Sequence, residues 1–204
     1  MVRFHLQGRD ISDRRVLAVM GEVPRHLFVP PAYRPQAYED YPLPIEEGQT
    51  ISQPYIVALM TQALKLRGGE RVLEVGTGSG YQAAVLSGLA DRVYTIEYHE
   101  PLARSAAERL RTLGYANVEV RAGDGFFGWP EKGPFEGIMV TCAARWIPPP
   151  LVEQLAEGGR LVLPLEEAEG LQTLTLVTKV EGRPRVEPMT LVRFVPMLGE
   201  VRKK

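Results

Sequence analysis

Arg71-Val72-Leu73-Glu74-Val75-Gly76-Thr77-Gly78-Ser79-Gly80 is the stretch on which the fold turns. It predicts a strand, then a glycine turn, then the start of a helix. Glycines at positions 76, 78 and 80 allow backbone dihedrals and close approach that a Cβ would forbid. Such a turn aims backbone N–H groups and a helix N-terminus at a ligand. Downstream of it the chain keeps a strand–helix rhythm. Strands are predicted over 71–75, 92–97, 117–121, 136–141 and 159–164, and helices over 80–89, 100–113 and 148–156. Short apolar strands joined by long connections predict a parallel sheet with helices on both faces. Residues 171–180 and 187–195 alternate instead, around the polar turn Glu181-Gly182-Arg183-Pro184, which predicts an antiparallel hairpin at the sheet edge. The expected fold class is therefore α/β and Rossmann-like, with a mostly parallel seven-stranded sheet.

The glycine spacing narrows the ligand. A dinucleotide fingerprint, G-x-G-x-x-G, would need glycine where Tyr81 stands. What stands here is E-x-G-x-G-x-G, the form typical of proteins that bind S-adenosylmethionine. The Glu74 carboxylate suits a positive sulfonium and would repel a pyrophosphate. Glu97 ends the next strand, where an acidic side chain can accept both ribose hydroxyls or can simply be a surface charge. Gly123-Asp124-Gly125 follows the third strand. Asp124 can accept an adenine amino group there, or the segment is a tight Asp-Gly turn.

Ahead of the sheet lies an arm. Residues 12–21 predict a short helix capped by Ser12, and a second helix runs from Pro54 to Leu64 behind a Ser52 cap. Between them, seven prolines from Pro24 to Pro54 forbid a continuous helix or a central strand. This irregular segment must be laid over something, with Phe28, Tyr33, Tyr38 and Tyr41 as its anchors. Residues 1–65 are read as an arm packed on a 66–204 core, together a single structural unit.

Composition excludes several classes. A net charge of −1 with scattered Arg residues does not fit a general nucleic-acid binder. The only basic cluster, Arg202-Lys203-Lys204, is expected to be a solvated terminus. No apolar run approaches the ~18 residues of a membrane span, and the polar start shows no signal peptide. The expected location is the cytoplasm. One cysteine, Cys142, allows no internal disulfide, and with only 3 His no metal site is expected. Cys142 is expected to be a small packed residue, since nothing nearby in sequence would lower its pKa. The scarcity of Asn and the 17 Pro fit either thermal selection or a GC-rich genome.

Longer matches point to a family. They are Tyr41-Pro42-Leu43-Pro44-Ile45, Gly48-Gln49-Thr50-Ile51-Ser52, the segment Leu73 to Tyr81, Gly123-Asp124-Gly125, Gly158 to Pro164 and Val192-Arg193-Phe194-Val195-Pro196. On these, from about Arg25 to Gly199, the chain resembles protein-L-isoaspartate O-methyltransferases, repair enzymes for damaged aspartyl and asparaginyl residues. The resemblance implies the class I S-adenosylmethionine-dependent methyltransferase fold. It also implies methyl transfer to the free α-carboxylate of L-isoaspartyl residues, with S-adenosyl-L-homocysteine as product. It implies Ser52 as the active-site residue. Cofactor contacts are expected at Gln49, Thr50, Ile51, Ser52, Glu74, Gly76, Thr77, Gly78, Ser79, Gly80, Glu97, Asp124, Gly125 and Gln172. Partners are expected to be isoaspartyl peptides and proteins, with neither nucleic acid nor membrane, and the chain is expected to be a monomer.

Three positions depart from the family pattern: Glu46, Cys142 and the acidic loop Glu166-Glu167-Ala168-Glu169. That loop raises the expectation of a preference for basic flanking residues. Two other readings differ in class. A base methyltransferase on the same fold would often carry N/D-P-P-Y/F after the fourth strand, where Thr141-Cys142-Ala143-Ala144 stands. A binding module would hold the cofactor and an isoaspartyl end without methylating it, which the intact G-Q-T-I-S disfavours.

Overall fold

The computed structural model describes residues 1–203. A small hairpin in the arm, β1 (Leu43–Pro44) and β2 (Thr50–Ile51), precedes the main sheet. That sheet contains β3 (Arg71–Val75), β4 (Arg92–Glu97), β5 (Val118–Ala122), β6 (Phe135–Val140), β7 (Leu155–Glu166), β8 (Gln172–Val180) and β9 (Arg183–Leu191). Its spatial order is β5-β4-β3-β6-β7-β8-β9, parallel through β7 and antiparallel for the last two pairings. The chain thus winds outward from β3 to β5, crosses back to β6 and winds the other way. Ligands of such sheets bind where the order reverses, beyond the strands' carboxyl ends.

Both faces of the central strands are covered, which is why Val72, Leu73 and Val75 carry no polar alternation. Val72, Val93, Met139 and Val162 share one buried cluster with α1 (Arg14–Glu22), α2 (Pro54–Leu64), α3 (Tyr81–Ser87) and α4 (Glu100–Thr112). Leu73, Ile138, Leu161 and Leu163 pack into a second cluster with Leu151 of α5 (Pro149–Gln154). The first cluster includes Leu6, Phe28, Leu43 and Ile51, so the arm shares the core of the sheet.

The edge hairpin is tighter than expected. Glu181 and Gly182 alone make the turn, both at positive φ (52° and 73°). Two such residues match the right-handed twist of the strands. Arg183 and Pro184 therefore already pair with Val180 and Lys179, and Pro184 is tolerated because β9 is an edge strand. The strand ends at Leu191, short of the expected 195. The Gln172 side chain grips the backbone of Phe194 at both its N–H (2.6 Å) and its C=O (3.1 Å), and the chain leaves the ladder.

Neither expected helix cap is used. Asp13 caps α1, accepting from Arg15 N and Val16 N, while Ser12 N donates to Gln62. For α2 the cap comes from a distance. Asp40 in the arm accepts from Tyr55 N (3.0 Å) and from the Gln53 side chain (2.8 Å). A carboxylate there also complements the helix dipole. Ser52 is left uncapping because Gln53 takes the N-cap position. The C-terminal cluster is corrected as well. Arg202 is half-buried, donating to Met197 O and pairing with Glu166. Lys204 lies outside the described residues. Among the described residues no helix is long and apolar enough to cross a membrane, and no group of three His, Cys, Asp or Glu is placed to hold a metal.

Asp40→Ala is expected to lower stability by about 1–2 kcal/mol, as for loss of a good helix cap. Urea unfolding of the two proteins would measure it.

Candidate active site

The carboxyl ends of β3, β4 and β6 open into a cleft of about 780 Å³, counting its mouth. Its floor is the glycine turn. Gly76 N donates to Ile96 O at 2.8 Å, and Thr141 grips the same residue from the other side, its Oγ1 donating to Gly76 O at 2.6 Å. Gly76 has φ of 101°, and a Cβ there would run into Thr141 Oγ1. Only glycine satisfies both conditions. Gly125 approaches from β5, where a Cβ would meet the Val75 side chain.

Glu97 organises one wall. Its Oε2 accepts from Gly78 N (2.8 Å) and its Oε1 from His99 N (3.0 Å). The side chain is 5 % exposed and faces the cleft. A carboxylate has about four lone-pair sites, so acceptor capacity remains. His99 Nε2, beside it, is buried with no hydrogen-bond partner among the described residues.

The arm forms the roof. Gln49, Thr50, Ile51 and Ser52 line the cleft. Arg25 holds them down. Fully buried, it donates from Nε to Ala37 O (2.7 Å) and from Nη2 to Ser52 O (2.8 Å), with its guanidinium over the Tyr81 ring. Burial lowers its pKa from the ordinary value.

The remaining wall is the segment after β9. Ala143 N donates to Val195 O and Met197 N to Ala143 O, both at 2.8 Å, so Val195 to Leu198 lie along the exit of β6. A second groove adjoins the first. Pro42, Ile56, Phe194 and Arg193 are among its lining residues, and Thr50, Ser52 and Val195 line both spaces.

Of the expected site residues, the structure gathers Gln49, Thr50, Ile51, Ser52, Gly76, Thr77, Gly78, Ser79, Glu97 and Gly125 around the cleft. Four stand behind it. Glu74 is fully buried beneath the turn, its Oε2 2.6 Å from Thr95 Oγ1. Gly80 packs on Leu110 of α4. Asp124 already accepts from Phe126 N (2.9 Å) and Glu200 N (2.7 Å). Gln172 is occupied with Phe194 and so positions the wall rather than lining it. The residues missed are Tyr98, His99, Thr141 and Pro196 to Leu198. Their signal was weak: the first two merely follow Glu97, Pro196 closes the V-R-F-V-P segment, and Met197 and Leu198 follow it. Cys142 does face the cleft. Burial, with the charges of Glu97 and Asp124 adding to it, pushes its thiol up to about 12. A thiol held that high is a poor nucleophile.

This fold and cleft define a Rossmann-like methyltransferase. A family model described as protein-L-isoaspartate(D-aspartate) O-methyltransferase matches residues 2–202. Protein-L-isoaspartate O-methyltransferase 2 of Shewanella sediminis is 57% identical over 203 residues, covering 100% of this chain and 83% of the relative. The Opitutus terrae protein of the same name is 57% identical over 98% of this chain and 86% of its own. A solved protein-L-isoaspartate O-methyltransferase superposes with a TM-score of 0.88 at 31% identity, over 98% of this chain and 66% of that one. One from Plasmodium falciparum, in complex with S-adenosyl-L-homocysteine, gives 0.83 at 27% identity over 97% and 96%. The chain belongs to the protein-L-isoaspartate(D-aspartate) O-methyltransferase family.

Gly76→Ala is expected to weaken ligand binding in the cleft by roughly tenfold to a hundredfold, since both the turn and the Thr141 bond must shift, at a cost of order 1–3 kcal/mol. Calorimetric titration with S-adenosyl-L-homocysteine would report the loss.

Proposed function

We propose that the cleft holds S-adenosylmethionine, that the adjoining groove holds the damaged peptide, and that transfer occurs at the strip they share. The protein is a repair methyltransferase: it esterifies the free α-carboxylate of L-isoaspartyl residues. The ester then closes to a succinimide, which hydrolyses partly to aspartate. The observation that carries the assignment of the site is the common lining of the two spaces by Thr50, Ser52 and Val195.

The residues present fit the cofactor. A glycine turn that lets a ligand come close to its backbone, the spare acceptor capacity of Glu97 for a ribose diol, and a His99 Nε2 with no partner among the described residues suit an adenosyl amino acid. Gln49 to Ser52, Gly76 to Ser79, Glu97 and Gly125 are the residues assigned to holding it. When bound, S-adenosylmethionine supplies a methyl group already activated by a positive sulfur.

The protein's own task is then orientation. An α-carboxylate with an unperturbed pKa of about 3.3–3.7 is ionised at neutral pH. It needs no base, and the shared strip offers none. Ser52 Oγ makes no hydrogen bond within the described residues, while its backbone carbonyl is fixed by Arg25. A free hydroxyl on a pinned backbone suits the aiming of one carboxylate oxygen. Such alignment can supply on the order of 7–11 kcal/mol in good cases. The Pro-rich arm and the Val192–Val195 segment form the two sides of the groove, where an extended peptide can be held by main-chain contacts.

The groove has one charged lining residue, Arg193, which is exposed and makes no ion pair among the described residues. The acidic loop does not line it, and Glu166 is engaged with Arg202. Acidic rather than basic flanks are therefore expected to be preferred.

Labelled S-adenosylmethionine and one peptide with either L-isoaspartate or L-aspartate at the same site test the reading. Base-labile label should enter the isoaspartyl form alone, and label in both or neither would refute it. Ser52→Ala is expected to lower kcat by about tenfold or more, by lost alignment, while S-adenosyl-L-homocysteine still binds. Arg193→Glu should raise KM for peptides with acidic flanks and spare those with neutral flanks, by steady-state kinetics across a flank panel.

A further inference from the structure

Beneath the glycine turn lies a chain of three buried polar side chains. Thr77 Oγ1 is 2.6 Å from Thr95 Oγ1, and Thr95 Oγ1 is 2.6 Å from Glu74 Oε2. Thr95 and Glu74 are 0 % exposed and Thr77 is 3 % exposed. Glu74 Oε1 has no hydrogen-bond partner among the described residues. Thr77 alone of the three lines the cleft, and among the described residues Thr95 is its only side-chain partner.

A proton on Glu74 Oε1 would have no acceptor, so counting hydrogens leaves two arrangements. If Glu74 is ionised, it can only accept. Thr95 must then donate to it, Thr77 must donate to Thr95, and the Thr77 hydrogen is consumed inside the protein. If Glu74 carries a proton on Oε2, it donates to Thr95, Thr95 donates to Thr77, and the Thr77 hydrogen is left over. The first arrangement leaves a full negative charge in the core on one hydrogen bond, with one oxygen bare. Burying a charge so poorly paired is strongly unfavourable, and such groups neutralise instead. The second needs no buried charge.

We propose that Glu74 works as an un-ionised hydrogen-bond donor, sending its proton through Thr95 so that the Thr77 hydroxyl is free to donate to an acceptor atom of the cofactor. Glu74 is thus a positioning residue, and its acidity sets the polarity of the relay. The inference rests on the assignment of the cleft to the cofactor.

The electrostatics agree. Burial pushes Glu74 up to about 8; the Thr95 hydrogen bond opposes the rise and the nearby charge of Glu97 adds to it. On the neighbouring elements the ionisable groups are Arg71 on β3, Arg92, Tyr94 and Glu97 on β4, Glu136 on β6, Tyr55 on α2 and Tyr81 on α3. Of these only Glu97 acts on its ionisation. The folded value lies above the ordinary 4.5, so Glu74 contributes stability that is full below about 4.5 and lost as pH rises through about 8. Cofactor affinity should follow the upper limit, falling above about 8 as the relay reverses and the Thr77 donor is withdrawn.

The test titrates S-adenosyl-L-homocysteine calorimetrically from pH 6.5 to 9.5 into the wild type, Glu74→Gln and Thr95→Val, with thermal unfolding of each across pH 5 to 9. The ligand's own ionisation is common to all three, so only differences between them count. Relative to Glu74→Gln, the wild type should lose about tenfold in affinity toward pH 9.5, the scale of one hydrogen bond to a polar ligand. Thr95→Val cuts the relay but keeps the acid buried. It should retain the alkaline loss of stability and lack the extra loss of affinity. If Glu74→Gln does not fold, the wild type against Thr95→Val decides alone. Parallel affinity curves, or wild-type affinity that rises with pH, would overturn the relay. No binding to the wild type at pH 7 would instead defeat the cofactor assignment on which it stands.

Discussion

The exit of β3 is the point on which the rest of the site depends. A parallel strand ends with its last carbonyls and the following N–H groups unpaired unless its neighbours supply partners. Here Ile96 O receives Gly76 N, and Thr141 takes both the Val75 and the Gly76 carbonyls. With the Val75 and Gly76 carbonyls and the Gly76 N–H paired, the strand end is fixed, and φ of 101° at Gly76 is part of it. Glu97 then converts the neighbouring strand's end into a brace for Gly78. The strand end beneath the cleft is held by paired backbone, and the cleft is open because the two halves of the sheet diverge there.

The second requirement is a roof, and a doubly wound sheet does not provide one. The chain supplies two. The arm is pinned from below by Arg25, whose planar guanidinium can serve two carbonyls and lie on Tyr81 at once; a lysine could not do so. The segment after β9 is pinned by Gln172 at Phe194, by Ala143 at Val195 and Met197, and by the Arg202–Glu166 pair at its end. Both straps are held at their backbone. Their side chains are therefore left to shape the groove, which fits a site that must accept many sequences around one damaged residue.

Much of this was legible in the sequence, and the reasons differ by element. The seven strands, the glycine turn and the two-faced burial follow from local rules, because apolar runs and glycine spacing report the backbone directly. The residues gathered at the cleft from Gln49 to Ser52 and from Gly76 to Ser79 are contiguous in sequence, so a motif carries them whole. The caps were not legible. Ser12 and Ser52 stood at plausible positions, but Asp13 and Asp40 were better placed. Asp40 lies 15 residues from the amide it serves. No local pattern encodes such a partner.

The amino-acid sequence by itself determined the layered architecture, the position of the turn and the family chemistry, since these depend on which residue types follow one another. Only the tertiary structure decided how side chains of similar type divide the labour. Glu74, Glu97 and Asp124 all stand near strand ends. One is buried as a neutral relay, by our inference, one faces the ligand space, and one holds loop backbone. Gln172 likewise became a clamp because Phe194 lies across from it in the folded chain. The division depends on burial and on which backbone N–H groups come within reach. Those distances exist only once the sheet, the arm and the C-terminal strap have closed on one another.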